Sequence, residues 1–220
     1  EWKGNFYPEK LPAKDMLRFY AGRFPTVEIN ATFYRMPKEP VLAGWAEQVP
    51  AGFAFALKAS KYITHIKRLR DSAEPIARLV QVTAALGPAL GPVLFQLPPN
   101  LKLDLPLLEE FLAALPPGRR SAMEFRHASW FDDAVFAALS ARGVALCIAD
   151  TGEEPVAPLV ATAGFGYLRL RREEFSDDEL SQWAKRIRAQ AWSEAFVYLK
   201  HEEEGRGPKL AARLMEIART

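Results

Sequence analysis

Residues 121–130 read SAMEFRHASW. Met123 and Phe125 are what a buried strand carries, yet Glu124 and Arg126 alternate with them and His127 follows directly. Successive side chains of a strand point to opposite faces, so this stretch has one bulky apolar face and one fully charged face. Burying an unpaired charge costs on the order of several kcal/mol, so a charged inner face needs a reason. The stretch decides the fold only if other strands repeat its pattern.

They do. Runs rich in β-branched and aromatic residues recur at 25–30 (PTVEIN), 53–58 (FAFALK), 92–97 (PVLFQL), 144–150 (VALCIAD), 166–170 (GYLRL) and 195–200 (AFVYLK). With 121–126 they make seven strand candidates. Between them lie segments of helical period at 14–24, 39–49, 73–87, 105–115, 132–143, 177–190 and 208–219, with weaker helical character at 154–164. Asp132-Asp133 and Ser176-Asp177-Asp178 are N-terminal signals, and Gly87 and Gly143 are C-terminal ones. Strands alternating with helices predict βαβ units and a parallel sheet. Because the first helix precedes the first strand, the count predicts an α/β, TIM-type (β/α)8 barrel lacking its opening strand, a fold of ~250 residues. The rival is an open doubly wound sheet, which has no G-x-G-x-x-G turn here to support a nucleotide-binding version. No linker or low-complexity stretch divides the chain, so residues 1–220 are expected to form one domain.

The polar residues of each strand keep one parity. Glu28 and Asn30 oppose Val27 and Ile29; Lys58 shares a face with Ala54 and Ala56; Gln96 shares one with Leu94. Glu124 and Arg126 follow the same rule, and Asp150 is placed with Ile148, Arg169 with Tyr167, and Lys200 with Tyr198. By that parity Cys147 faces the helices as a core thiol. In barrels, inward residues at the C-terminal strand ends build the active site. Glu28, Glu124 and Asp150 are therefore the catalytic candidates, as acid and base. Asn30, Lys58, Gln96, Arg126, Arg169 and Lys200 are candidates for holding a ligand, joined by Tyr34, His65, His127 and Trp130 from the loops. Cations outnumber carboxylates on this rim, which suits a small anionic ligand, phosphorylated or carbohydrate-like, gripped by Arg. A salt-bridged plug in a non-catalytic scaffold barrel is the plain alternative.

Other signals set limits. The net charge of +2 neither demands nor excludes nucleic acid. Nucleic acid enters as an alternative partner through the loop KASKYITHIKRLRD at 58–71, which mixes Lys61, His65, Lys67, Arg68 and Arg70 with Tyr62, although the solvated start of a helix explains most such runs and is the favoured reading. Aromatics at Trp2, Phe6, Tyr7, Phe33, Tyr34, Tyr62, Trp130 and Phe131 could stack on a base or sugar, or fold inward over the mouth. The paired carboxylates could also hold a divalent metal through oxygen, but His65, His127 and His201 form no ligand spacing, so this is the weaker reading; no metal ligand is assigned and the cofactor is left unknown. Ser129 lacks a nucleophile elbow. One cysteine excludes an internal disulfide, and no apolar run of ~18 residues suggests a membrane span, so a cytoplasmic location is the expectation.

The ordered motifs WKGNFYP, VEINATFYRMP, FALKASKYITHIKRL, QLPPNL, EFRHASW and FVYLKHEEEGRGPKLA resemble the YecE-like family, domain-of-unknown-function family 72. The resemblance spans nearly the whole chain. It implies a TIM barrel with a further strand ahead of WKG, and it implies no established activity. Barrels of this kind are distantly similar to the endonuclease IV and xylose isomerase group, whose metal ions are bound by Glu, Asp and His. The histidines here are not at strand ends. The chain also reads YLRLRREEF where the family pattern carries His-Gly.

Overall fold

A computed structural model describes residues 2–199 and 205–219. Its strands are β1 (Thr26–Ile29), β2 (Ala54–Lys58), β3 (Leu90–Gln96), β4 (Ser121–Glu124), β5 (Ala145–Asp150), β6 (Phe165–Leu170) and β7 (Glu194–Leu199). All pair in parallel in the order β1-β2-β3-β4-β5-β6-β7, each joined to its sequence neighbour. The α-helices among the described residues are α1 (Met16–Ala21), α2 (Glu39–Ala46), α3 (Ala73–Thr83), α4 (Leu105–Ala114), α5 (Asp133–Ala141), α6 (Asp177–Arg188) and α7 (Arg206–Arg219). The expected weak helix at 154–164 is an irregular connection instead, and Pro155 and Pro158 there remove N–H groups a helix would need.

Helix starts follow their local chemistry. Asp104 accepts from the N–H of Leu107, Asp132 from that of Ala134, and Ser176 and Glu179 form a reciprocal capping box. The basic segment after β2 is not the start of α3. It forms its own π-helical turn at Tyr62–Ile66, then runs through Arg68, Leu69 and Asp71 at positive φ before α3 begins. Burial of Leu69 and hydrogen bonds from Arg68 to Asn100 hold that costly backbone.

Two apolar layers result. Outside the sheet, Phe95, Met123, Phe125, Leu146, Ile148 and Leu168 pack against the helices. Inside it, small residues from one side (Ala56, Ala122, Ala145, Cys147) meet large ones from the other (Phe165, Tyr167, Phe196), so the barrel is filled rather than hollow. Gly166 lets Trp192 lie against β6; a Cβ there would sit 2.4 Å from the indole. The ring is nearly closed. β1 and β7 approach each other, and the hydroxyls of Thr26 and Tyr198 are 2.9 Å apart, but they do not pair as strands. A cavity of about 470 Å³ opens between them, lined by Val27, Val197, Leu199, Leu214 and Met215 among others. It occupies the place where an eighth strand would close the barrel.

Candidate functional site

Register builds the centre of the site. Pairing of β3 with β4 sets Gln96 beside Glu124, and Gln96 Nε2 donates to Glu124 Oε1 at 2.8 Å. Pairing of β5 with β6 sets Arg169 beside Ala149 on the inner face. From there the guanidinium crosses the barrel: Nη1 donates to Glu124 Oε2 at 2.6 Å and Nη2 to Glu28 Oε1 at 2.8 Å. Tyr167 Oη donates to the other oxygen of Glu28 at 2.6 Å, and Asn30 Oδ1 accepts a longer bond from Arg169 at 3.4 Å. The side chains of Arg169, Glu124 and Glu28 are 3%, 2% and 6% exposed. Burial alone would depress the pKa of Arg169, but Glu28 and Glu124 outweigh it and hold the guanidinium above its ordinary value. Burial and then the charge of Glu28 push the Tyr167 phenol well up.

Around this centre lie cations without such partners. Arg126 approaches Glu124 only at 3.7 Å and is 38% exposed. Lys58 sets its ammonium 4.1 Å from the centroid of Phe33, and burial followed by the charge of Arg169 lowers its pKa to about 8. Arg171, half-buried, is lowered by burial and by Arg169. Among the described residues no carboxylate lies within ion-pair distance of Lys58 or Arg171. His65 meets Phe33 edge-on at 4.9 Å and hydrogen-bonds Thr64 through Nδ1. Burial, then Lys58, Arg126 and Arg68, lower its pKa, which leaves the ring neutral at pH 7.

The structure thus brings together Glu28, Asn30, Gln96, Glu124 and Arg169, with Lys58, Arg126 and His65 beside them. Asp150 does not join. The parity expected for β5 is reversed: Cys147 lies in the inner layer and Ile148 in the outer one, so Asp150 turns to the helix side and bonds Arg172 Nε at 2.7 Å. Six apolar residues precede Asp150 in VALCIAD with no polar marker of the inner face, and the small Ala145 and Cys147 are what the filled interior admits. Burial also pushes the Cys147 thiol well up, so it remains an inert core group.

Loop residues divide similarly. Trp130 is fully buried, stacked on Phe125 at 4.8 Å, with Nε1 donating to the carbonyl of Leu101, so it packs the outer layer instead of facing a ligand. Nδ1 of His127 accepts from the N–H of Ser129 and caps the short turn that follows. Tyr34 stands 72% exposed, with Lys61 6.0 Å from its ring. Trp2, Phe6 and Tyr7 pack with one another and with Phe19, Tyr20 and Phe24 of and just after α1. Lys200 lies outside the described residues. Two residues at the centre were missed, Tyr167 and Arg171. Both share the parity of Arg169, and following that alternation up and down YLRLR would have found them.

Among the described residues no group of three His, Cys, Asp or Glu could hold a metal ion, and no helix is long and apolar enough to cross a membrane.

Comparison with known proteins agrees with this architecture. A DUF72 protein from Thermotoga maritima superposes with a TM-score of 0.87 at 23% identity, covering 100% of this chain and 95% of that one. The UPF0759 protein YecE of Escherichia coli strain K12 is 34% identical over 116 residues, 52% of this chain and 43% of YecE. The UPF0759 protein YunF of Bacillus subtilis strain 168 is 32% identical over 139 residues, 58% of this chain and 48% of YunF. These matches thus span about half the length of each curated relative. The family model described as "Protein of unknown function DUF72" matches residues 1–220, and the chain belongs to that family.

Proposed function

We propose that the mouth of this barrel binds a small anionic ligand, phosphorylated or carbohydrate-like, at the C-terminal ends of the strands. The observation that carries this is the charge count: Glu28 and Glu124 are both committed to Arg169, Arg126 makes only a 3.7 Å contact with the already paired Glu124, and Lys58 and Arg171 have no carboxylate within ion-pair distance among the described residues. Cations massed in a concave rim raise one another's electrostatic energy, and an incoming anion relieves it. Both oxygens of Glu28 and of Glu124 already accept strong hydrogen bonds. In this reading they fix Arg169 instead of shuttling protons, and Asn30 and Gln96 orient the ligand.

Thermal-shift measurements with inorganic phosphate and sugar phosphates test the reading, since a ligand bound only by the folded state raises the Tm. Arg126→Met should weaken that binding about tenfold or more, the equivalent of one lost charge-assisted hydrogen bond. If a broad anion set leaves the Tm unchanged, the Glu28–Arg169–Glu124 cluster is a plug and the scaffold reading takes its place.

A nucleic-acid reading draws on the exposed Tyr34 and Tyr62 beside Lys61. It requires affinity for single strands that falls steeply with salt; no binding at ~50 mM salt eliminates it.

A further inference from the structure

We propose that Lys58 is a covalent amine, its Nζ forming an imine with a small aldehyde or ketone that carries a phosphate or carboxylate group. This deepens the anion-binding reading above and rests on it: the rim arginines Arg126 and Arg171 hold the charged end of the molecule, and Lys58 meets its carbonyl.

Position comes first. Lys58 ends β2 on the inner face, and its carbonyl is pinned by the hydroxyl of Thr32 at 2.7 Å, so the side chain starts from a fixed point at the rim. Chemistry comes second. A lysine that only neutralises a carboxylate sits against one, whereas the buried carboxylates at this rim hold Arg169 and the Lys58 ammonium rests on the ring of Phe33. Its other charged neighbours are Arg169 and Arg171, which repel a second positive charge, and Glu124 and Glu28, which offset only part of the combined effect of burial and those arginines. Desolvation and adjacent cations are the two conditions that turn a lysine into a nucleophile at neutral pH. The lowered pKa of about 8 agrees with that setting, leaving roughly a tenth of the group as free amine at pH 7. Division of labour comes third. Arg126 and Arg171 cannot deprotonate and present planar donors suited to phosphate or carboxylate, so charge recognition does not need Lys58.

The step balances without a redox partner. The nitrogen lone pair forms the C–N bond while the carbonyl π pair moves to oxygen, which takes a proton. The carbinolamine then loses that oxygen as water, using the proton shed by nitrogen, and leaves the imine. Carbonyl compound plus amine gives imine plus one water.

The test incubates the full chain with glyceraldehyde 3-phosphate or pyruvate and sodium cyanoborohydride, which reduces any imine to a stable secondary amine. Intact mass and peptide mapping then locate the adduct. One adduct on the peptide holding Lys58, formed about tenfold faster than on any other lysine, slowed by inorganic phosphate and absent from Lys58→Arg, supports the proposal. The thermal-shift response to phosphate is measured on the same samples. Phosphate stabilisation without a Lys58 adduct overturns the imine and leaves anion binding standing; neither stabilisation nor adduct overturns both. Adducts spread evenly over surface lysines, or an unchanged adduct pattern in Lys58→Arg, also overturn it. Lys58→Met, with circular dichroism to confirm the fold, separates lost reactivity from lost structure.

Discussion

Arg169, near the end of β6, and Arg172, just beyond it, each link two carboxylates with bonds of nearly equal length. Arg169 reaches Glu124 at 2.6 Å and Glu28 at 2.8 Å; Arg172 reaches Asp150 at 2.7 Å and Glu179 at 2.8 Å. Side chains on opposite faces of the sheet separate them: the first is 3% exposed inside the barrel and the second 38% exposed against α6. The inner cluster ties together strands distant in sequence, β1, β4 and β6. Taking three charges out of water gains little net stability even with good geometry, so its place in the fold is better explained by the site it organises. The outer cluster is a surface network whose worth is small and screened by salt.

The difference is broken most forcefully at the inner arginine. Arg169→Met should cost about 3–5 kcal/mol in urea unfolding, because Glu28 and Glu124 would be left buried and uncompensated. Replacing both carboxylates by Gln in the same chain should recover most of that loss, since the penalty lies in the unpaired charges. A loss below ~1 kcal/mol for the single change would mean that water reaches the cluster and that it resembles the outer one after all.

Next in size is Tyr167→Phe. It removes one donor to a buried carboxylate without opening a cavity, and should cost about 1.5–3 kcal/mol, the range for hydrogen bonds to charged groups. If Glu28 is held in place mainly by this phenol, the variant should also lose part of the anion-induced thermal shift.

Lys58 sharpens the contrast from the opposite side, as a cation at the inner rim with no carboxylate. Its pKa is lowered in the fold to about 8, so the folded state resists the protonated form and carries that penalty fully below pH 8. The penalty fades as pH rises through the folded and then the unfolded value. Lys58→Met should therefore stabilise the protein at pH 7, by less than Tyr167→Phe destabilises it, and the gain should vanish near pH 10.5, as paired urea titrations at the two pH values would record.

The same contrast explains what could be read from the sequence. Strand positions were legible because β-branched and aromatic runs alternate with helical ones, and the inner face of β1, β2, β3, β4 and β6 was legible because each carries a polar residue at its C-terminal end. β5 was not, because ALCIA has no polar residue to mark a face and the size rule that places Ala145 and Cys147 inside depends on Phe165, Tyr167 and Phe196 across the barrel. Asp150 followed the wrong parity for that reason. Trp130 and His127 were illegible as structural groups because their partners, the carbonyl of Leu101 and the N–H of Ser129, are backbone atoms that any sequence could supply. The left-handed backbone at Arg68, Leu69 and Asp71 gave no signal either, since no glycine marks it.

The smallest effect belongs to the outer cluster, and it is the one that completes the comparison. A double-mutant cycle on Asp150→Ala and Arg172→Ala should give a coupling of about 0.2–1 kcal/mol that shrinks as salt is raised. Asp150 complicates the expectation, because its Oδ2 is buried with no hydrogen-bond partner among the described residues while Oδ1 serves both Arg172 and the N–H of Gly152. Removing Arg172 would then leave a mostly buried carboxylate with one backbone donor, whereas removing Asp150 releases an arginine into water. The single changes should therefore be unequal, with Arg172→Ala the more costly. Equal single effects would mean that Asp150 is fully hydrated, and the outer cluster would then differ from the inner one in every respect except its bond lengths.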